Sequence, residues 1–120
     1  MTKRRVVVTG IGAVSPIGND AATMWNNVVA GNSGIDFITK VNKDDFPVSV
    51  GGEVKDFDVT QYVDKKDARR MDLFVQYAIA AADMAVKDAN LTIDESNAER
   101  VGVWIGCGIG GMNTYEEQLR

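Results

Sequence analysis

A chain of 120 residues with 45% hydrophobic content is long enough to build one globular domain, or a piece of one. Its formal net charge of −4 argues against a general nucleic-acid binder, which would carry a basic surplus. It holds no histidine, so a stand-alone hydrolase, thiol acyltransferase or zinc enzyme lacks its usual base or ligand.

The start, Met1-Thr-Lys-Arg-Arg5, is basic, but only Val6–Val8 follow before Thr9-Gly10. That run is too short for a signal-peptide core, and no apolar run reaches the roughly 18–20 residues of a membrane span. A cytoplasmic location with no membrane partner is expected. A single cysteine without a disulfide partner agrees with a reducing compartment.

Arg4–Val8 reads as a central strand, because Val6, Val7 and Val8 are apolar on both faces. The loop from Gly10 to Gly18 fails as a dinucleotide fingerprint: Ser15 stands where the third glycine belongs, and Pro16 follows it. Asn19 or Asp20 caps a helix over about 21–30, with Trp25, Val28 and Val29 as its buried side and Gly31 as its stop. Residues 32–47 read as irregular. Val48–Val54 alternates weakly around Gly51-Gly52, which predicts an edge or bulged strand. Phe57, Val59 and Tyr62 are apolar pegs on a connector.

The longest element is a helix from Lys66 or Met71 to Ala89, apolar over most of its circumference. Its alanine run, Ala80-Ala81-Ala82, permits a close approach by another helix. Packing against a sheet, and against another subunit, is expected. Asn90 is a left-handed stop. Leu91–Arg100 is a polar connector, and Val101–Ile105 reads as a second buried strand delivering the glycine-dense turn 106–111 to a helix start at Met112. This order predicts an α/β fold with a parallel sheet. Two confident central strands are too few for such a sheet, and the chain stops inside a helix start, so an incomplete N-terminal part of a larger protein is expected.

Three groups stand out chemically. The spacing Gly106-x-Gly108-x-x-Gly111 matches the dinucleotide fingerprint literally, but no acidic residue about 20 positions later can be checked. A phosphate cradle, a plain structural turn and a loop facing an apolar ligand all stay open there, with Ile109 at the apex. Cys107 has no histidine to activate it and reads as a small structural residue. Lys65, Lys66, Arg69 and Arg70 form a basic cluster on an acidic chain, read either as a solvated helix start or as a dock for an acidic partner. Asp64, Asp67 and Asp72 soften its charge.

Taken together, Arg4–Gly18, Trp25–Ile35, Lys66–Tyr77 and Val101–Gly111 resemble, in order, the N-terminal part of the β-ketoacyl-acyl carrier protein synthases, the condensing enzymes of fatty acid synthesis. The resemblance is nearest to the long-chain-elongating branch, synthase II. It implies a thiolase-like α-β-α-β-α layered fold, a cytoplasmic homodimer, and acyl- and malonyl-loaded carrier protein as partners, with no cofactor and no metal. It implies further that the nucleophilic cysteine, two histidines and a lysine lie beyond position 120, so that no catalytic residue falls within this chain. Ile109, flanked by Gly108 and Gly110, matches the wall of the acyl pocket and gates its depth. Lys66, Arg69 and Arg70, with Lys65 beside them, match the patch that docks the carrier. A nucleotide-binding α/β module, or a non-catalytic subunit of a condensing complex, stand as alternatives.

Overall fold

In the computed structural model, residues 3–42 and 47–120 are described. Among the described residues, four α-helices and one small sheet make a mixed α/β arrangement. In chain order these are α1 (Ala21–Val29), β1 (Ile35–Phe37), β2 (Val50–Gly52), a 3-10 turn (Val59–Gln61), α2 (Lys65–Ala68), α3 (Leu73–Asp88), a second 3-10 turn (Ala98–Arg100) and α4 (Met112–Leu119).

The helix ends follow local chemistry. Asp20 is the N-cap of α1, its carboxylate accepting from the Thr23 N–H at 2.8 Å and from the Thr23 hydroxyl at 2.6 Å. These bonds, the hydroxyl one foremost, hold the Asp20 carboxyl below its ordinary pKa. Gly31 ends α1 with φ 72, and Asn90 ends α3 with φ 49, as the sequence predicts. Between Ser15 and Gly18 a two-way backbone bridge closes a turn over Pro16-Ile17. Asn27 on α1 donates to the Ile17 carbonyl at 2.6 Å, and Asn19 donates to Lys55 O at 2.8 Å. Pro16 of this turn lies against Gly52 of β2, so the turn joins α1 to the small sheet.

The sheet corrects the expected topology. It is a two-stranded antiparallel pair, with Ile35 opposite Gly52, Asp36 opposite Gly51 and Phe37 opposite Val50. β1 lies in the stretch that read as irregular, part of which (43–46) falls outside the described residues. Polar side chains clasp the pair. Lys55 meets Asp36 at 2.6 Å, and the Glu53 carboxylate accepts from the Thr39 hydroxyl and from the Thr39 and Lys40 N–H groups.

The two expected central strands do not form. Residues 4–8 and 101–105 have no strand pairing among the described residues, and Val6 (93%) and Trp104 (98%) are almost fully exposed. A central strand takes its stability from ladders on both edges and from cover on both faces. Neither is supplied here, so apolar composition by itself leaves these segments unpaired. Likewise the predicted buried side of α1 is open, Trp25 being 66% exposed. The face of α1 turned inward carries Ala21, Met24 and Asn27.

Of the two starts predicted for the long helix, Lys66 and Met71, the later one lies close to the observed α3, and the residues from Lys66 belong to a separate helix. α2 ends at Ala68, and Asp72 is extended at ψ 155 before α3 begins. Gln76 stabilises the corner by donating to Ala68 O at 3.1 Å and Met71 O at 2.9 Å, carbonyls that a continuous helix would have used itself. Ala80, fully buried, is the centre of α3. The alanine face of α3 receives the 10–12 loop instead of another helix. A Cβ on Gly12 would overlap the Ala81 carbonyl, and one on Gly10 would overlap Ala85 and Ala89. The Ile11 N–H donates to Asp88 at 2.8 Å and closes that contact. The pegs behave as predicted: Phe57 stacks on Tyr62 and meets Tyr77 of α3 edge-on, with centroids 5.0 Å apart.

The molecule is open. Its radius of gyration is 17.6 Å, against about 14 Å for a compact domain of this length. Only Ala68 and Ala80 among the described residues are buried hydrophobics.

Candidate functional site

The four predicted docking cations surround the α2–α3 corner. Lys65 and Lys66 lie on α2, Arg69 is its C-cap, and Arg70 follows, its N–H donating to Asp67 O at 2.9 Å. All four side chains are exposed around buried Ala68. Among the described residues none of them forms a salt bridge. The acidic neighbours expected to soften the patch therefore do not neutralise it by contact. Asp72 in particular is engaged elsewhere.

Asp72 Oδ2 accepts from the Thr114 hydroxyl at 2.9 Å and from the Thr114 N–H at 3.2 Å. The hydroxyl bond is the largest of several that hold the Asp72 carboxyl below the ordinary aspartate range. Helix α4 needs this contact, because the residue preceding it is Gly111, at φ 81 with no side chain to cap the first turn. The cap comes from 42 residues away. A polar groove of about 410 Å³ runs from Arg69 and Arg70, past Asp72 and Gln76, to Thr114 and Glu117.

The glycine loop sits beside this contact. Gly110 rests on the Phe74 ring: a Cβ there would come within 2.7 Å of Phe74 and 2.5 Å of Cys107 Sγ. Gly108 and Gly106 have open space around them. Ile109, at the apex, is 86% exposed and lines a shallow hollow of about 260 Å³ with Leu73, Phe74 and Tyr77. Cys107 is a free, exposed thiol, with its Sγ beside Gly110.

The arrangement bears on the phosphate-cradle reading of 106–111. A phosphate cradle offers free N–H groups at the helix N-terminus. Here a carboxylate already occupies that end of α4, and the strand expected to precede the loop is absent. The same negative charge that caps the helix would repel a phosphate.

Sequence reasoning missed Asp72, Phe74, Gln76 and Thr114. An aspartate directly before the apolar run Leu73-Phe74-Val75 is an N-cap signal, which marks the break before α3. Nothing local marks Thr114 as its partner.

The family model for the beta-ketoacyl synthase N-terminal domain matches residues 3–120. A 3-oxoacyl-acyl-carrier-protein synthase 2 of Staphylococcus aureus is 57% identical over 113 residues, which covers 94% of this chain and 27% of that protein. The protein of the same name from Synechocystis is 48% identical over 118 residues, covering 98% of this chain and 28% of that one. Among solved structures, the ishigamide ketosynthase/chain length factor aligns with a TM-score of 0.67 and 39% identity, over 76% of this chain and 23% of that one. The chain thus spans about a quarter of the length of the curated relatives it matches.

Proposed function

This chain belongs to the family of beta-ketoacyl synthase N-terminal domains, and we propose that it is the N-terminal portion of a 3-oxoacyl-acyl-carrier-protein synthase of the second type. The observation that carries this reading is the 57% identity running through 94% of the chain. The whole enzyme elongates fatty acyl chains in the cytoplasm as a homodimer with a thiolase-like α-β-α-β-α fold. In that fold the apolar segments 4–8 and 101–105 gain the neighbours they lack here, and the open face of α1 gains its cover.

In the reaction, a cysteine thiolate takes the acyl group from the carrier thioester and releases the carrier thiol. Malonyl-carrier then loses carbon dioxide, and the resulting carbanion attacks the acyl-cysteine thioester. The product is β-ketoacyl-carrier, and the cysteine leaves as thiolate. This segment contributes neither nucleophile nor base: it has no histidine, and its one cysteine stands on an exposed glycine loop. Its contributions are recognition and shape. Lys66, Arg69 and Arg70, with Lys65, dock the acidic carrier as unpaired exposed cations, and Ile109 between Gly108 and Gly110 gates the acyl pocket.

The test is malonyl-dependent condensation by the full-length protein that carries this segment. Release of carbon dioxide coupled to β-ketoacyl product from long-chain acyl-carrier primers is expected. Decarboxylation without condensation, or no turnover with acyl-carrier at all, overturns the assignment in favour of a non-catalytic subunit. That second reading draws on the name of the solved relative, which joins a ketosynthase to a chain length factor.

A further inference from the structure

We propose that Asp72 is a positioning residue for the acyl gate, holding the loop that carries Ile109 to the same corner that carries Arg69 and Arg70. This rests on the gate and docking reading above.

Three observations support it. First, α4 begins behind a glycine in the left-handed region, so its own sequence supplies no side-chain cap, and the Asp72 carboxylate takes that place through two hydrogen bonds to Thr114. Second, the loop touches the start of α3 again at Gly110, which lies against Phe74, two residues after Asp72. The loop is thus pinned to one short segment, 72–74, on both sides of Gly111. Ile109 is the residue immediately before this double attachment, and its exposure leaves it free to move only as far as the attachment allows. Third, Asp72 lies three residues after Arg69 and lines the same groove, yet it forms a salt bridge with neither arginine. The carboxylate is committed to α4, and the cations stay available to a partner.

The physical consequence is a short rigid path. A displacement of the α2–α3 corner on engaging a carrier moves Asp72 and Phe74, and with them the base of the gate loop. Gln76 stiffens the first half of that path by bonding both Ala68 and Met71 carbonyls. The Asp72–Thr114 pair is the second half. Breaking it leaves the docking cations in place and frees only the loop.

The experiment compares full-length parent, Asp72→Ala, Asp72→Asn and Thr114→Val by the ratio of kcat/KM for a long against a short acyl-carrier primer. Asp72→Ala and Thr114→Val are expected to raise this ratio by roughly three- to tenfold, the scale of one lost hydrogen bond. Asp72→Asn keeps an acceptor oxygen for Thr114 and is expected to stay within about twofold of the parent. A general structural defect lowers turnover of both primers alike and leaves the ratio where it was. An unchanged ratio in Asp72→Ala and Thr114→Val overturns the proposal, whether the variants keep full activity or lose folded yield. A parent that performs no condensation overturns the functional reading instead, so the two failures are told apart by the unsubstituted enzyme.

Discussion

Asp72 and Thr114, 42 residues apart in the chain, are joined by two hydrogen bonds to one carboxylate oxygen, at 2.9 and 3.2 Å. The pair converts a glycine-led helix start into a capped one, and it occupies the position a phosphate would need. It also makes the beginning of α3 the common anchor of the basic corner and the glycine loop. Each of these relationships can be tested.

The Asp72 carboxyl is held below its ordinary value, chiefly by the Thr114 hydroxyl. A group whose folded pKa is depressed stabilises the fold above its unfolded pKa, about 3.9 for aspartate. That stabilisation disappears as pH falls through the folded value. The protection factors of the amides in the first turn of α4, measured by exchange and mass spectrometry on the full-length protein and corrected for the intrinsic rate at each pH, should therefore hold down to pH near 4 and fall below it. In Asp72→Ala the α4 amides should exchange fast at neutral pH as well. Equal protection in parent and variant at pH 7 would show that the carboxylate does not cap α4.

Charge reversal at the corner should weaken carrier binding. Arg69→Glu with Arg70→Glu in the full-length protein is expected to raise the Kd for acyl-carrier at least about tenfold at low salt, since both cations are exposed and form no salt bridge among the described residues. The difference should shrink near 0.5 M salt, where screening shortens the reach of surface charges to well under about 8 Å. Titration by calorimetry at two ionic strengths measures both. Affinity that ignores the reversal at low salt places the dock elsewhere.

Ile109→Phe should shorten the acyl chains the full-length enzyme accepts. The added ring occupies pocket volume, and Ile109 already borders a hollow with Leu73, Phe74 and Tyr77. Product-length analysis by mass spectrometry reads the outcome. An unaltered length distribution contradicts the gate assignment.

The glycines of the loop should divide sharply. Gly110→Ala forces a methyl to within 2.7 Å of Phe74 and 2.5 Å of Cys107, so it should destabilise by about 1–3 kcal/mol, the range of overpacked sites. Gly108→Ala meets open space in this chain and should be the less destabilising of the two. Thermal unfolding of the two full-length variants beside the parent makes the comparison. Equal shifts would mean that the Gly110–Phe74 contact does not bear on stability.

What was legible in the sequence followed from short-range chemistry. Asp20 and Gly31 bound α1, Asn90 closes α3, and the apolar pegs Phe57 and Tyr62 lie where their spacing put them, because caps and helical faces depend on residues within a few positions. The four cations of the α2–α3 corner were also legible as a cluster, and so was the family pattern around them. The break at Arg70–Asp72 was legible only as one of two alternative helix starts, Lys66 or Met71. Its carbonyls are satisfied by the Gln76 side chain, and a helical apolar pattern runs through the gap without recording that.

By itself the sequence determined the family, both ends of α1, the close of α3 at Asn90 and the absence of any histidine to act as a base. The tertiary structure alone decided the pairings: β1 with β2, the 10–12 loop with the alanines of α3, Gly110 with Phe74, and Asp72 with Thr114. The reason lies in chain separation. A cap or a periodic face is specified by neighbours in sequence, whereas a strand ladder or a carboxylate capping a distant helix depends on which surfaces the fold brings together. Val6–Val8 and Val101–Ile105 show the same rule from the other side: apolar enough to be central strands, they stay unpaired among the described residues because no second strand lies beside them.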